Sequence, residues 1–171
     1  MDEPRHPEGP PPSPVCAAFL LKLGRTPDRV RRQRILAACV KVDRPWVEEL
    51  LWESLADPNE TVRAFLVREL DGRPALRPEL AVRRLSFPPW FARSAALGII
   101  GRRKIAAAGA EVARAAGDAN VDVRRAAAEA LAELGGEEAL RTLVRLKKDP
   151  NPYVRAAAES AIDKTSRVRF T

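Results

Sequence analysis

Aspartate and arginine recur in this chain at a spacing that could form ion pairs. In three places an arginine follows an aspartate by six residues: Arg63 follows Asp57, Arg124 follows Asp118 and Arg155 follows Asp149. A carboxylate at a helix start accepts backbone N–H bonds and is favoured by the helix dipole. An arginine one turn later can reach this aspartate or the aspartate of the next repeat. The pattern therefore predicts a structural ladder between helices, in which Arg93 takes part as well.

Residue types that support catalysis or metal binding are scarce. The single histidine, His6, lies in a proline-rich stretch, so no Ser-His or Cys-His pair and no histidine metal site is expected. Cys16 and Cys39 have apolar helical neighbours and lack metal-ligand spacing, which predicts buried free thiols in a reducing compartment. The sequence predicts a protein that is not an enzyme and uses no cofactor and no metal.

The aspartate–arginine pattern belongs to a longer repeat of about 31 residues. The segments DPNETVRAFLVREL, DANVDVRRAAAEAL and DPNPYVRAAAESAI begin at Asp57, Asp118 and Asp149. After each Val-Arg dipeptide, apolar residues recur with the period of one helix face. Since no segment alternates as a β-strand would, the chain is predicted to be all-α.

The repeats also predict how the chain is divided. Residues 1–14 contain six prolines and few apolar side chains, which predicts a disordered or polyproline tail. Residues 15–171 are predicted to form one repeat domain, with helical pairs at 15–43, 44–72, 73–102, 103–135 and 136–166. In the first pair either Val30–Arg31 or Arg31–Arg32 could replace the dipeptide. A terminal repeat can differ in this way because it caps the stack.

The six-residue spacing, with proline or asparagine beside the aspartate, resembles the HEAT repeat. The repeat length and the segment VRRAAAEAL are similar to the short bacterial HEAT-like repeats named after phycobilin lyase subunits. The resemblance covers residues 27–164 and implies a right-handed α-solenoid of about five helical hairpins that acts as a protein-binding scaffold. The third repeat departs from the family pattern, because Phe87 stands at the aspartate position and FPPWF replaces the usual turn.

In the resembled family the second helices line a concave groove, and a few positions around the Val-Arg pair vary with the partner. On this chain those positions hold four of the nine aromatic residues. The protein-binding residues that the resemblance implies are Phe65, Arg68, Trp90, Phe91, Arg125, Glu129 and Tyr153. Aromatic residues beside arginine are typical of binding hot spots. The alternative is that Trp90 and Phe91 fold inward to replace the missing aspartate cap.

The net charge of +7 allows a second function. Arginines crowd residues 29–34, and further basic residues lie at 102–104, 147–148 and 167–169. Salt-dependent binding to a nucleic-acid backbone is therefore the alternative to protein binding. No apolar run is long enough for a membrane span and no signal-peptide pattern begins the chain, so a cytoplasmic monomer is expected.

Overall fold

The computed structural model describes residues 12–42 and 44–168, and these residues contain α-helices and no β-strand. The helices are α1 (Pro14–Gly24), α2 (Arg29–Val40), α3 (Pro45–Ser54), α4 (Glu60–Asp71), α5 (Pro78–Arg84), α6 (Trp90–Arg102), α7 (Gly109–Ala115), α8 (Val121–Leu134), α9 (Glu137–Leu146) and α10 (Pro152–Val168). A 3-10 turn at Ala106–Ala108 precedes α7. The all-α prediction is confirmed, and within each of two compact units neighbouring helical pairs pack on each other as in an α-solenoid.

Two compact units, residues 1–76 and 77–171, divide the chain. The boundary between the units falls in the segment that joins α4 to α5, and one repeat domain over residues 15–171 stays a prediction. Gly72 and Pro74 lie in this segment, and neither favours helix. The predicted tail falls mostly on residues 1–11, which lie outside the described residues. Its last residue, Pro14, belongs instead to α1, because proline is well suited to the first turn of a helix.

Local sequence signals mark the helix ends. Asn59 and Asn120 cap α4 and α8, and each side-chain oxygen accepts hydrogen bonds from two backbone N–H groups of the first turn. Proline occupies the first turn of α1, α3 and α5. Gly135 ends α8 with a φ of 67°, a conformation that glycine adopts without strain. The breaks between helices therefore follow from residue types that single turns require.

In the first unit, α1 packs on α3 and α2 packs on α4. Trp52 is fully buried, and its indole N–H donates to Glu48 at 3.2 Å. The ring of Phe19 stacks on that of Trp46 with 5.1 Å between centroids. Both tryptophans of α3 thus belong to the packing of this unit.

In the second unit, α6, α8 and α10 pack side by side and form one layer. The apolar stripe predicted on α8 is buried; its members are Val123, Ala127, Ala130 and Leu131. Gly101 of α6 allows a close approach, since a Cβ there would lie 2.9 Å from the Cα of Ala130. Small residues at this seam therefore determine how closely α6 and α8 pack.

Candidate functional site

One arginine in the first turn of every described second helix binds the turn that precedes that helix. In each case Nη1 donates to the carbonyl oxygens five and six residues earlier, at 2.7–3.2 Å. These arginines are Arg32, Arg63, Arg93, Arg124 and Arg155. Because the turn has few N–H groups of its own to offer, the guanidinium satisfies carbonyl groups that would otherwise lack a donor.

The other edge of the guanidinium reaches an aspartate 25 residues later in the chain. Nε and Nη2 donate to the two carboxylate oxygens at 2.6–3.1 Å, which is a bidentate pair. The pairs are Arg32–Asp57, Arg93–Asp118 and Arg124–Asp149. Each aspartate therefore accepts from the arginine of the preceding repeat. The arginine six residues further on uses the main-chain carbonyl of that aspartate instead.

These pairs are largely shielded from solvent, and their hydrogen bonds shift the pKa values of several of the paired groups. Hydrogen bonds from Arg124, together with the backbone N–H of Asn151, hold the pKa of Asp149 below its ordinary value against the opposing effect of burial. The hydrogen bond to Asp149 raises the pKa of Arg124, and the bond to Asp57 does the same for Arg32. The charged forms are thus favoured by their partners within the fold.

Two details of the predicted ladder need correction. The aspartates do not cap the following helices: Asp149 Oδ1 accepts from the N–H of Asn151, and Asn151 in turn accepts from the first turn of α10. Arg32 was left out of the predicted ladder, although counting one repeat back from Arg63 leads to it. Its bonds also show that Arg31–Arg32 is the dipeptide of the first pair.

In the third pair an aromatic ring stands at the aspartate position and contacts an arginine of its own pair. Phe87 lies at the aspartate position, and the guanidinium carbon of Arg84 lies 3.4 Å from the centroid of its ring. Arg84 is only 1% exposed. A cation over an aromatic face gains electrostatic energy that increases with desolvation. This contact joins the end of α5 to the turn that follows it, whereas the arginine–aspartate pairs join successive repeats.

The predicted binding residues of the first unit do not form an open aromatic surface. Phe65 is 7% exposed, so little of its ring is accessible to a partner in this fold. Its ring packs among the helices, and the guanidinium of Arg68 covers it at 5.5 Å from the centroid. Arg68 itself is exposed and lies 3.7 Å from Glu69. Phe65 is the neighbour of the fully buried Leu66, and the sequence pattern alone did not show how far burial extends around the helix to position 65.

The predicted binding residues of the second unit lie on the layer formed by α6, α8 and α10. We call the exposed side of this layer the second-helix face. Tyr153, in the first turn of α10, is 73% exposed, and Trp90, in the first turn of α6, is 44% exposed. Phe91 is half-buried and contacts Trp90 edge to face, with 5.8 Å between centroids. The sequence had left open whether Trp90 folds inward, and in the structure much of its ring meets solvent.

Between these aromatic residues, α8 contributes charged side chains. Arg125 donates to Glu129 at 3.2 Å and to Asp122 at 3.4 Å, and all three are solvent-exposed in large part. Exposed pairs of this kind add little stability. Their effect is to hold the guanidinium of Arg125 along the surface of α8, beside residues one turn before and one turn after it.

A cleft lies outside the second-helix face. The cleft, of about 360 Å³, lies where α8 ends and α9 begins, and Gly135, Gly136 and Lys164 are among its lining residues. None of the predicted binding residues lines it. Residues 12–42 and 44–168 contain no cluster of His, Cys, Asp and Glu that could hold a metal ion. No helix among them is long and apolar enough to cross a membrane.

Comparison with known proteins identifies a family but no individual relative. No curated protein matches the chain. The family described as HEAT repeats matches residues 78–163, which is half of the chain and covers most of the second unit. HEAT repeats are generally protein-interaction scaffolds and are typically non-catalytic. With its repeated helical pairs and this match, the chain belongs to the HEAT-repeat family.

Proposed function

We propose that this protein is a non-catalytic scaffold that binds a protein partner across its second-helix face. One observation carries the proposal: Tyr153 and Trp90 are exposed in the first turns of α10 and α6, on either side of α8. Large aromatic side chains bring much contact area at a small entropic cost and are enriched in binding hot spots. A partner that covers both rings would remove their apolar surface from water.

The surface between the two rings suits a docked segment. On α10, Ala156 and Ser160 are exposed and small, so a partner can approach the helix backbone closely. On α8, Arg125 already has two carboxylate neighbours, so a partner that covers its guanidinium would not leave this cation without an anion. The face thus combines aromatic anchors with a polar centre.

The distance between the anchors limits the length of the partner segment. Packed helices lie about 8–10 Å apart, so α6 and α10 are separated by about 16–20 Å across α8. An extended strand covers that distance in about six residues, and a helix in about three to four turns. We therefore expect a short helix or strand with apolar residues near both ends to be the docked element.

The test is affinity purification of partners with the full chain and with a Trp90→Ala/Tyr153→Ala double variant. Val144→Ala is the matched control, because Val144 is 51% exposed but lies on α9, outside the second-helix face. Proteins retained by the wild type and by Val144→Ala should be lost from the double variant. Circular dichroism melts would show that all three chains are folded. Identical partner sets for the three chains would exclude the second-helix face as the binding surface.

A further inference from the structure

Most of the net positive charge of the chain lies in its first helical pair. Residues 15–43 contain seven Lys and Arg residues against two acidic residues, Asp28 and Asp43, an excess of five in a chain whose net charge is +7. One of the seven, Arg32, is buried against Asp57. The other six are exposed and form what we call the N-terminal basic face: Lys22, Arg25, Arg29, Arg31, Arg34 and Lys41.

Several of these cations share one face of α2. Arg31, Arg34, exposed Ala38 and Lys41 follow each other at intervals of three and four residues, so they form one stripe along the helix and its C-cap. From Arg31 to Lys41 the stripe extends about 15 Å along the helix axis. Because the stripe is on a regular helix, its charges have a defined spacing.

Helix stability does not account for these positions. Arg29 and Arg31 lie in the first turn of α2, which contains no acidic residue, and the helix dipole disfavours cations there. Arg31 and Arg34 are three residues apart, a spacing at which like charges repel. By contrast, Arg145 and Lys147 lie at the C-terminal end of α9, where the dipole favours them. Asp28, whose carboxylate caps α2, offsets part of the local cost of the first group, and a bound anion would relieve the remainder.

The composition of the face selects among anionic partners. None of its six cations forms an ion pair with a carboxylate in the described residues, and four are arginines, whose planar guanidinium matches a phosphate group. Single-strand binding relies on exposed aromatic rings, whereas Phe19, the aromatic residue of α1, is stacked on Trp46. Reading duplex RNA requires polar contacts to 2′-hydroxyls, and the face offers mainly cations.

A membrane surface fits less well. A helix that lies on a bilayer has a continuous apolar side with large Leu, Phe or Trp residues. The exposed apolar residues of α1 and α2 are scattered among the cations, and Leu21 is the largest of them.

We propose that the N-terminal basic face binds the phosphate backbone of duplex DNA without sequence specificity. This site is on α1 and α2, and the proposed protein-binding face is on α6, α8 and α10. A cationic stripe without base-reading groups positions a protein on DNA and supplies non-specific affinity.

The experiment is fluorescence anisotropy of a short labelled DNA duplex titrated with the full chain at about 50 and about 200 mM salt. The test variant is Arg31→Gln/Arg34→Gln/Lys41→Gln. The control is Arg145→Gln/Lys147→Gln/Lys148→Gln, which removes the same charge from exposed positions at the end of α9. Affinity should fall about 10-fold or more for the test variant and less than about twofold for the control. The slope of log affinity against log salt should decrease by about two to three only in the test variant.

Four outcomes would overturn the proposal: absence of duplex binding at the lower salt concentration, equal losses in both triple variants, tighter binding to duplex RNA, and tighter binding to anionic phosphatidylserine vesicles. Trp90→Ala/Tyr153→Ala separates the two proposed sites, because it should leave DNA affinity unchanged. Thermal melts of each variant distinguish lost binding from lost structure.

Discussion

Arg124 on α8 and Asp149 in the turn before α10 are joined by two hydrogen bonds, Nε to Oδ2 at 2.8 Å and Nη2 to Oδ1 at 3.1 Å. The same guanidinium donates to the carbonyl oxygens of Asp118 and Ala119. One side chain thus binds the turn of its own repeat and the turn of the next. Arg32 and Arg93 make equivalent bonds, so this arrangement recurs in both units.

Removing the carboxylate of this pair should destabilise the second unit. Asp149→Ala leaves the shielded guanidinium of Arg124 without its anion, and we expect the free energy of unfolding to fall by about 2–4 kcal/mol. Urea denaturation measures the change. Asp163→Ala is the control, since Asp163 is exposed on α10 and should change stability by less than about 0.5 kcal/mol. Similar effects of the two substitutions would contradict the role of the pair.

The stabilisation from Asp149 should depend on pH. Its pKa lies below the ordinary 3.8 in the folded protein, chiefly because Arg124 donates to the carboxylate, so near this pH the unfolded chain binds more protons. The contribution is therefore complete above about pH 5 and is lost as the pH falls through the folded-state pKa. Urea denaturation of wild type and Asp149→Asn across this range should show their stability difference shrinking in acid. A difference that stays constant from neutral pH into acid would refute the ionic origin of the effect.

Two glycines of α6 should respond in opposite directions to alanine. At Gly101 a Cβ would lie 2.9 Å from the Cα of Ala130, and we expect Gly101→Ala to cost about 1–3 kcal/mol through overpacking. At Gly98 the nearest atom is the flexible end of Arg102, so helix propensity should stabilise Gly98→Ala by about 0.5–1 kcal/mol. Thermal or urea unfolding compares them, and a stabilised Gly101→Ala would show that the seam is looser than the structure indicates.

The ring at position 87 should be coupled energetically to Arg84. A double-mutant cycle with Phe87→Leu and Arg84→Met should give a coupling free energy of about 0.5–2 kcal/mol, because the guanidinium loses its contact with the aromatic face. Urea unfolding of the wild type and the three variants supplies the four values. If the free-energy changes of the two substitutions were additive, the guanidinium and the ring would not be coupled energetically.

The amino-acid sequence by itself determined the helical class and the repeat period, and it marked several of the helix starts and the end of α8. These features depend on local patterns: proline at helix starts, glycine after α8, and apolar residues at helical spacing. The buried stripe of α8 could be predicted for the same reason. The family resemblance also rested on such local spacing.

Only the tertiary structure decided which side chains meet. Arg124 could have reached Asp118 or Asp149, and the packing of α8 against α10 brings the second of these to the guanidinium edge. Phe65 and Trp90 both belonged to the predicted binding set, but the helices around Phe65 bury it while Trp90 stays exposed. Burial and pairing between residues 25 apart depend on how neighbouring helices are placed, and that placement results from the packing of all side chains together.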